Sequence, residues 1–234
     1  MATTSLGDDE LWSSTNLYRQ LEFLESLIST TTEASRRTLI DTFFFRASAM
    51  LPAGHRMVLN MEHDIPVTTT STSPSSVSTL SGTIDYTALV ASQDDANMFM
   101  RFPIFKILKS HIPSSFFVTE AKVLDLSAHV PQAIAEMYAC GKHLQKKILR
   151  GALTNGHDWI FLLLKFNNDD DGASYSQSDV IQMYVTRSRN DPPVVRHPEP
   201  DMIAAILLHW IRNSFVDLRS DDWFEAAPVG PVHM

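Results

Sequence analysis

The chain has 234 residues, of which 44% are hydrophobic and 20% charged, so it can bury a core and is not disordered as a whole. Its formal net charge of −8 argues against attraction of nucleic acid or anionic lipid by the whole surface, but is compatible with a local basic patch. Cys140 is the single cysteine, which excludes an intramolecular disulfide and a cysteine-based zinc cluster.

The N-terminal segment predicts an intracellular protein. Residues 1–10 lack the basic start and the apolar run of a secretory signal. The longest apolar run, from Trp159 to Phe166, is too short to span a bilayer. We therefore expect a protein of the cytoplasm or nucleus that has no membrane partner.

Two helices are predicted at the start of the chain. Residues 10–30 carry leucines at helical spacing and predict a first helix. Thr31 or Thr32 is suited to cap a second helix from Glu33 to Leu51, which Pro52 follows.

Three strands are predicted next, over residues 56–67, 82–92 and 115–124. The first two are separated by residues 68–81, whose Ser/Thr-rich composition predicts a mobile loop. Residues 93–114 separate the second and third strands and predict an insertion that contains a short helix.

The C-terminal half predicts a long helix, two strands and a last helix. Pro131 suits the first turn of the long helix, and Gly151 suits the position just past its end. The run from Asp158 to Phe166 is apolar throughout and predicts a strand covered on both faces. Residues 179–186 predict a further strand and residues 201–215 a helix. This order predicts a mixed α/β fold with one strand–helix–strand crossover.

Ionisable residues interrupt two of the predicted strands. Glu120 and Lys122 stand at i and i+2, so they share a face roughly 6.5–7 Å apart along the strand. A surface salt bridge, worth about 1 kcal/mol or less, is the simpler interpretation of such a pair. Asp85 lies between Ile84 and Tyr86 in another strand, where a turn or a bulge is the structural alternative.

Pairing of these two strands would give the acids a joint function. Asp85 and Glu120 would then come within reach of one divalent cation, and Mg²⁺ prefers one or two carboxylates with water and substrate phosphate. Lys122 beside the cation would stabilise developing charge on a phosphate, or help to position and deprotonate the attacking water.

The order of these residues resembles the PD-(D/E)xK nuclease superfamily. The resemblance implies a restriction-endonuclease-like αβββαβ core, with a mixed central sheet flanked by helices, and here extra N- and C-terminal helices. It implies that Asp85 and Glu120 hold Mg²⁺ or Mn²⁺ and that Lys122 is the catalytic lysine. Gln132 matches the glutamine-bearing helix of many members, and Glu33 the extra acid that some supply from the first core helix.

Longer stretches carry the same resemblance. "LSGTIDYTALVA", "VPQAIAEMYACGKHL" and "LRGALTNGHDWIFLL" are similar to uncharacterised fungal proteins predicted in this superfamily. The resemblance implies an N-terminal helical extension over 1–30, a nuclease domain over 31–215 and a tail over 216–234. The gap between Asp85 and Glu120 is longer than the family pattern, and Asp94 or Asp95 is the alternative first acid.

A cluster of basic residues offers a second functional clue. Two interpretations stay open for it: a track for a phosphate backbone, or a solvated helix face whose cations favour the helix C-terminus. The cluster is predicted on the exposed side of the long helix and comprises Lys142, Lys146, Lys147 and Arg150.

The leading hypothesis is a Mg²⁺- or Mn²⁺-dependent nuclease that hydrolyses phosphodiester bonds, with DNA favoured over RNA as partner. The alternative is a nuclease-fold protein that no longer cuts and serves as a binding module or an effector. The sequence leaves a homodimer open.

Overall fold

A mixed sheet of seven strands lies at the centre of the chain. The structure is a computed structural model that describes residues 10–29, 31–65, 67–73, 76–102, 113, 115–167 and 172–218. Its strands are β1 His55–Asp64, β2 Thr68–Ser73, β3 Ser76–Leu80, β4 Thr83–Ser92, β5 Phe117–Ala121, β6 Ile148–Thr154, β7 Asp158–Phe166, β8 Ala173–Gln177, β9 Ile181–Gln182, β10 Val185–Thr186 and β11 Val194–Val195.

Five α-helices occur in the described part of the chain. They are α1 Ser14–Leu27, α2 Glu33–Ala49, α3 Gln93–Phe99, α4 Leu126–Leu144 and α5 Glu199–Arg212, and a 3-10 turn, Glu10–Trp12, precedes them. None of the described helices is both long enough and apolar enough to cross a membrane.

The central sheet combines antiparallel and parallel pairing. Its order is β1-β4-β5-β6-β7-β8, and β9 pairs with one end of β7. Among the described strands only β5 and β6 pair in parallel, and α4 is the crossover between them. A mixed α/β sheet flanked by helices, the fold class that the sequence predicts, is confirmed.

The sheet divides the interior into two cores, and β7 belongs to both. Trp159, Phe161 and Leu163 pack with α1, α2 and α5 on one face. Ile160, Leu162 and Leu164 pack with α4 on the other face. Successive residues of a strand point to opposite faces, so a strand between two helical layers must be apolar at every position. The prediction that this strand is covered on both faces is confirmed.

The start of α2 follows the predicted cap. Thr32 Oγ1 accepts from the Ser35 N–H at 3.2 Å, and the Thr32 N–H donates to Ser35 Oγ at 3.2 Å, which closes a capping box. This cap fixes the first turn of α2, from which Glu33 and Arg37 extend towards the sheet edge.

The sequence prediction is wrong about the segment between α4 and β7. The helix begins at Leu126 rather than Pro131 and ends at Leu144, where Gln145 takes a left-handed conformation with φ 54°. Residues 148–150, predicted as the end of this helix, are instead the start of β6, which continues to Thr154. A short strand buried between two neighbours has no alternating polar pattern, which explains the misassignment. The crossover therefore joins β5 to β6, not to β7.

The Ser/Thr-rich segment is also different from its prediction. Residues 68–81, expected to be a loop, contain β2 and β3. These two strands pair antiparallel, with Thr68 opposite Leu80. Threonine is β-branched and favours extended structure, a preference that the polar composition concealed.

The predicted insertion and tail are described only in part. The short helix expected within residues 93–114 is α3, while residues 103–112 and 114 lie outside the described residues. Residues 219–234 of the predicted tail and residues 1–9 of the predicted N-terminal extension also lie outside them.

Gly151 allows β6 to enter the centre of the sheet. A Cβ at this position would lie 2.7 Å from Val118 O on β5 and 2.8 Å from Met137 Sδ on α4. We expect Gly151→Ala to lower the free energy of unfolding by about 1–3 kcal/mol, because the backbone of β5 cannot easily move away. Urea unfolding followed by circular dichroism measures the change. Gly82→Ala is the control, since its Cβ would meet only the flexible Ile65 side chain, at 3.2 Å; equal losses for both variants would contradict the explanation.

Candidate active site

Two acidic residues meet where β4 and β5 lie side by side. Asp85 on β4 and Glu120 on β5 are 7% and 2% exposed. Asp85 Oδ2 accepts a hydrogen bond of 2.8 Å from the Ala121 N–H, which directs the aspartate towards the end of β5. The long segment between the two acids does not prevent their approach.

A lysine and a glutamine contact the same oxygen of Glu120. Lys122 Nζ donates to Glu120 Oε1, and Gln132 Nε2 donates to that atom at 2.8 Å. The Lys122 N–H donates to Thr154 O at 2.9 Å, so the parallel neighbour β6 holds the backbone at this end of β5. Burial opposes the charge of Lys122, but the hydrogen bond and charge of Glu120 outweigh it and raise the pKa of the lysine. Its side chain is therefore a protonated ammonium at neutral pH.

Glu136 is a fifth polar member that the sequence analysis missed. It is 4% exposed, and its Oε1 accepts from Gln132 Nε2 at 2.9 Å. Gln132 and Glu136 are four residues apart on α4, so helical spacing places them on one face. That spacing was the available signal. Both residues lie within the helix that the sequence predicts from Pro131 onwards, so the signal was present in the sequence.

The two glutamates share a buried environment that disfavours their charge. Burial and then the charge of Glu136 raise the pKa of Glu120 to about 9. Burial likewise raises the pKa of Glu136. Two adjacent carboxylates in a buried site cannot both ionise cheaply, so the pair retains a proton at neutral pH in the absence of another cation.

Arg37 links three carboxylates and was also missed. Its guanidinium donates to Asp85 Oδ1, to Glu62 and, at 2.7 Å, to Glu33 Oε1. Glu33, which the family resemblance placed in the site, is thus connected to Asp85 through the arginine. These ion pairs, after the opposing effect of burial, raise the pKa of Arg37.

An irregularity in β1 brings Glu62 to this cluster. The register pairs Met61 with Tyr86 and His63 with Ile84, which leaves Glu62 opposite Asp85 without a regular partner. Glu62 has φ 46°, in the left-handed region that a glutamate rarely adopts. Such irregularities next to sites redirect a side chain, and here the glutamate reaches Arg37.

The donor set suits a hard divalent cation, with one obstacle. Glu120 Oε2 and Glu136 Oε2 are buried away from other donors, and the two carboxyl groups hydrogen-bond to each other through the retained proton, whose place a divalent cation would take. Within the described ranges, however, no three acidic, histidine or cysteine side chains lie close enough to enclose a metal ion. Both oxygens of Asp85 are engaged, by Arg37 and by the Ala121 N–H. A cation at Asp85 would therefore compete with the arginine for the charge of this carboxylate.

The alternative acids do not belong to this cluster. Asp94 and Asp95 lie in the exposed first turn of α3, where Asp95 Oδ2 accepts from Ser92 Oγ at 2.8 Å. They contribute to the start of that helix, so Asp85 is the acid that the structure places beside Glu120.

The predicted basic track is wrong in one of its four members. Arg150 is on β6, fully buried, and not on the exposed side of a helix. Its Nη1 donates to Asn213 O at 2.8 Å and to Val216 O at 2.7 Å, and the guanidinium lies 5.3 Å from the Trp210 ring. Arg150 therefore attaches the end of α5 to the sheet and cannot contact a nucleic acid.

The three lysines of this track remain nearer the surface. Lys142 lies over the Tyr138 ring and Lys146 over the Phe215 ring, at 5.8 and 4.6 Å. Lys147 is exposed and donates to Asn167 O at 3.3 Å. Only Lys142 is part of α4, so the lysines do not form one helical stripe.

The structural function of Arg150 can be tested directly. We expect Arg150→Met to lower the free energy of unfolding by about 2 kcal/mol or more, because the fully buried guanidinium and its hydrogen bonds to two backbone carbonyls after α5 are lost. Lys147→Met should change it by no more than about 0.5 kcal/mol, as is usual for exposed residues. Denaturant unfolding of both variants measures this. Equal stability of wild type and Arg150→Met would show that the arginine does not hold the C-terminal helix.

No protein-family model matches the chain, and none of the curated proteins matches it. The functional assignment therefore depends on the site geometry and on the motif described above.

Proposed function

We propose that this protein is a divalent-metal-dependent nuclease of the PD-(D/E)xK type, which hydrolyses phosphodiester bonds in nucleic acid. The observation that carries the proposal is the convergence of Asp85, Glu120, Lys122 and Gln132 at one end of β5. These residues come from three separate elements. Asp85 and Glu120 are also buried, whereas the members of a surface salt bridge would be exposed.

The order of elements supports the same assignment. Helix α2 is followed by β1, β4 and β5 in antiparallel succession, and then by α4 and the parallel strand β6. This is the αβββαβ order that the family resemblance implies, with the β2–β3 hairpin and α3 as additions.

Asp85 and Glu120 would hold Mg²⁺ or Mn²⁺, with Glu136 next to them. When bound, the metal would act as a Lewis acid towards the phosphate and would favour ionisation of the attacking water. The raised pKa of Lys122 keeps its ammonium charged, so the lysine stabilises negative charge that develops on the phosphate instead of removing a proton. Gln132 orients Glu120 by donating to Oε1, and the Ala121 N–H orients Asp85.

The experiment is a cleavage assay with purified protein. Plasmid, single-stranded DNA and RNA are each incubated with Mg²⁺, with Mn²⁺ and with EDTA. We expect cleavage with either metal and none in EDTA, with DNA as the better substrate. Absence of cleavage of all three substrates in both metals would refute the enzymatic proposal.

The second candidate is a nuclease-fold binding module that does not cut. It is favoured by Arg37, whose guanidinium pairs with Asp85 and Glu33 and thus holds these acids by an ion pair. Calorimetric titration with Mn²⁺ distinguishes the two functions. If the protein is a nuclease, Mn²⁺ binding to the wild type releases or absorbs heat, and Asp85→Asn abolishes this heat of binding. If it is a binding module held together by Arg37, neither the wild type nor Asp85→Asn gives a heat of binding.

A further inference from the structure

A second polar cluster lies next to the candidate active site. It surrounds a cavity of about 420 Å³, which we call the side pocket. This volume is within the range of small-ligand pockets. Its wall includes Arg36, Leu124, Asn155, His157, Asp158, Tyr184 and Arg187.

Residues of the side pocket are sequence neighbours of residues in the active site. Arg36 precedes Arg37 on α2, and Leu124 follows Lys122 by two residues, so its Cα lies within about 7 Å of that of the lysine. Asn155 directly follows Thr154, whose carbonyl accepts from the Lys122 N–H. Because β5 and β6 are parallel, their carboxyl ends bring both sites to the same sheet edge.

A network beneath the pocket fixes the positions of its cations. Glu25 is fully buried and accepts from His157 Nε2 at 2.6 Å and from Arg187. Arg36 donates to His157 Nδ1, so Nε2 carries the imidazole proton. The side chain of Arg187 is 55% exposed and retains donors that face solvent.

The charged groups behind the pocket wall act on one another. Arg36 lies near the carboxylates of Glu25 and Asp158, whose charges support its own. Arg36 Nε and Asp158 Oδ1 have no hydrogen-bond partner within the described structure, but both atoms are buried and do not reach the pocket surface. Contact with a ligand therefore falls to the exposed side chains of the wall.

Apolar surface in the same wall suits the face of a base. Tyr184 and Leu124 are both large, exposed residues, at 47% and 71% exposure. Stacking of a base on an aromatic ring, with a guanidinium beside it for the phosphate, is how proteins bind unpaired nucleotides. The carboxylates of Glu25 and Asp158 offset the positive charge of Arg36 and Arg187. The pocket is therefore not a general phosphate site by charge alone.

We propose that the side pocket binds an unpaired nucleobase of the substrate strand, next to the phosphodiester that is cut, with Arg187 on the adjoining phosphate. This inference rests on the proposed nuclease function and specifies its substrate class as single-stranded or locally unpaired nucleic acid. A base that remains paired in a duplex could not enter the pocket.

The test measures binding without cleavage. Fluorescence anisotropy follows a labelled 12-nucleotide single strand in EDTA at low ionic strength, with a 12-base-pair duplex of the same sequence for comparison. We expect the single strand to bind more tightly, and Tyr184→Ala and Arg187→Gln each to weaken it by roughly fivefold or more. Duplex binding should change little.

Two surface variants serve as controls. Phe23→Ala removes an exposed aromatic on α1 outside the pocket, and Lys165→Gln removes an exposed cation on β7, roughly 24 Å along the strand from Asp158. Both should bind the single strand as wild type does. Circular dichroism of the pocket variants shows whether they remain folded.

The outcomes separate this inference from the nuclease proposal. If wild type cuts nucleic acid but the pocket variants bind the single strand unchanged, or the duplex binds equally well, the side pocket is not a base site. If the pocket variants lose single-strand binding but no metal supports cleavage, the base site stands and the nuclease proposal fails.

Discussion

Lys122→Met is expected to reduce phosphodiester cleavage by about 100-fold or more, while the protein stays folded. The ammonium of Lys122 is the cation that contacts the carboxylate cluster from β5, and its raised pKa keeps it charged during catalysis. Methionine keeps most of the side-chain volume and removes the charge. Because Glu120 readily takes up a proton, loss of its cationic partner should not unfold the site.

The measurement is the initial rate of cleavage of a labelled oligonucleotide under saturating Mg²⁺ or Mn²⁺. Lys165→Met is the matched control, because this lysine lies on β7 and pairs with Asp217, away from the carboxylate cluster. Its rate should remain within about twofold of wild type, as for a surface residue away from the chemistry. A Lys122→Met protein that cuts as fast as wild type would show that the Glu120–Lys122 contact is only structural.

The sequence predicts those parts of the site that depend on local pattern. Glu120 and Lys122 share a face because strand periodicity is two, and the structure places them in contact. The order of elements, together with the family resemblance, predicts that Asp85 and Gln132 lie near them. Their hydrogen bonds to the end of β5 are present in the structure.

What was missed depends on contacts that no local pattern encodes. Arg37 reaches Asp85 across the space between α2 and the sheet, and it also reaches Glu62, which lies opposite Asp85 on β1. Arg150 was assigned to the helix surface because buried β6 has no alternation to mark it as a strand. In each case the deciding interaction is tertiary, so it overrides the local preference.

The carboxylate pair should also make the stability of the metal-free protein depend on pH. An unfolded glutamate ionises near pH 4.3, whereas burial and the charge of Glu136 raise the pKa of folded Glu120 to about 9. At pH values between these two pKa values, the folded protein binds one proton more than the unfolded protein does. The free energy of unfolding therefore falls as pH rises, by up to about 1.4 kcal/mol per pH unit for one proton. This contribution is fully present below about pH 4 and is lost as pH approaches 9.

Glu136→Gln should reduce this pH dependence and stabilise the protein at pH 8 much more than at pH 5. The amide removes the neighbouring negative charge, and its oxygen can still accept from Gln132. Urea unfolding in EDTA from pH 5 to pH 9 measures the slope, with Asp179→Asn as an exposed control that should reproduce wild type. An unchanged slope in Glu136→Gln would mean that the two glutamates do not share a proton. The pH dependence would then come from the burial of Glu120 alone and not from the charge of Glu136.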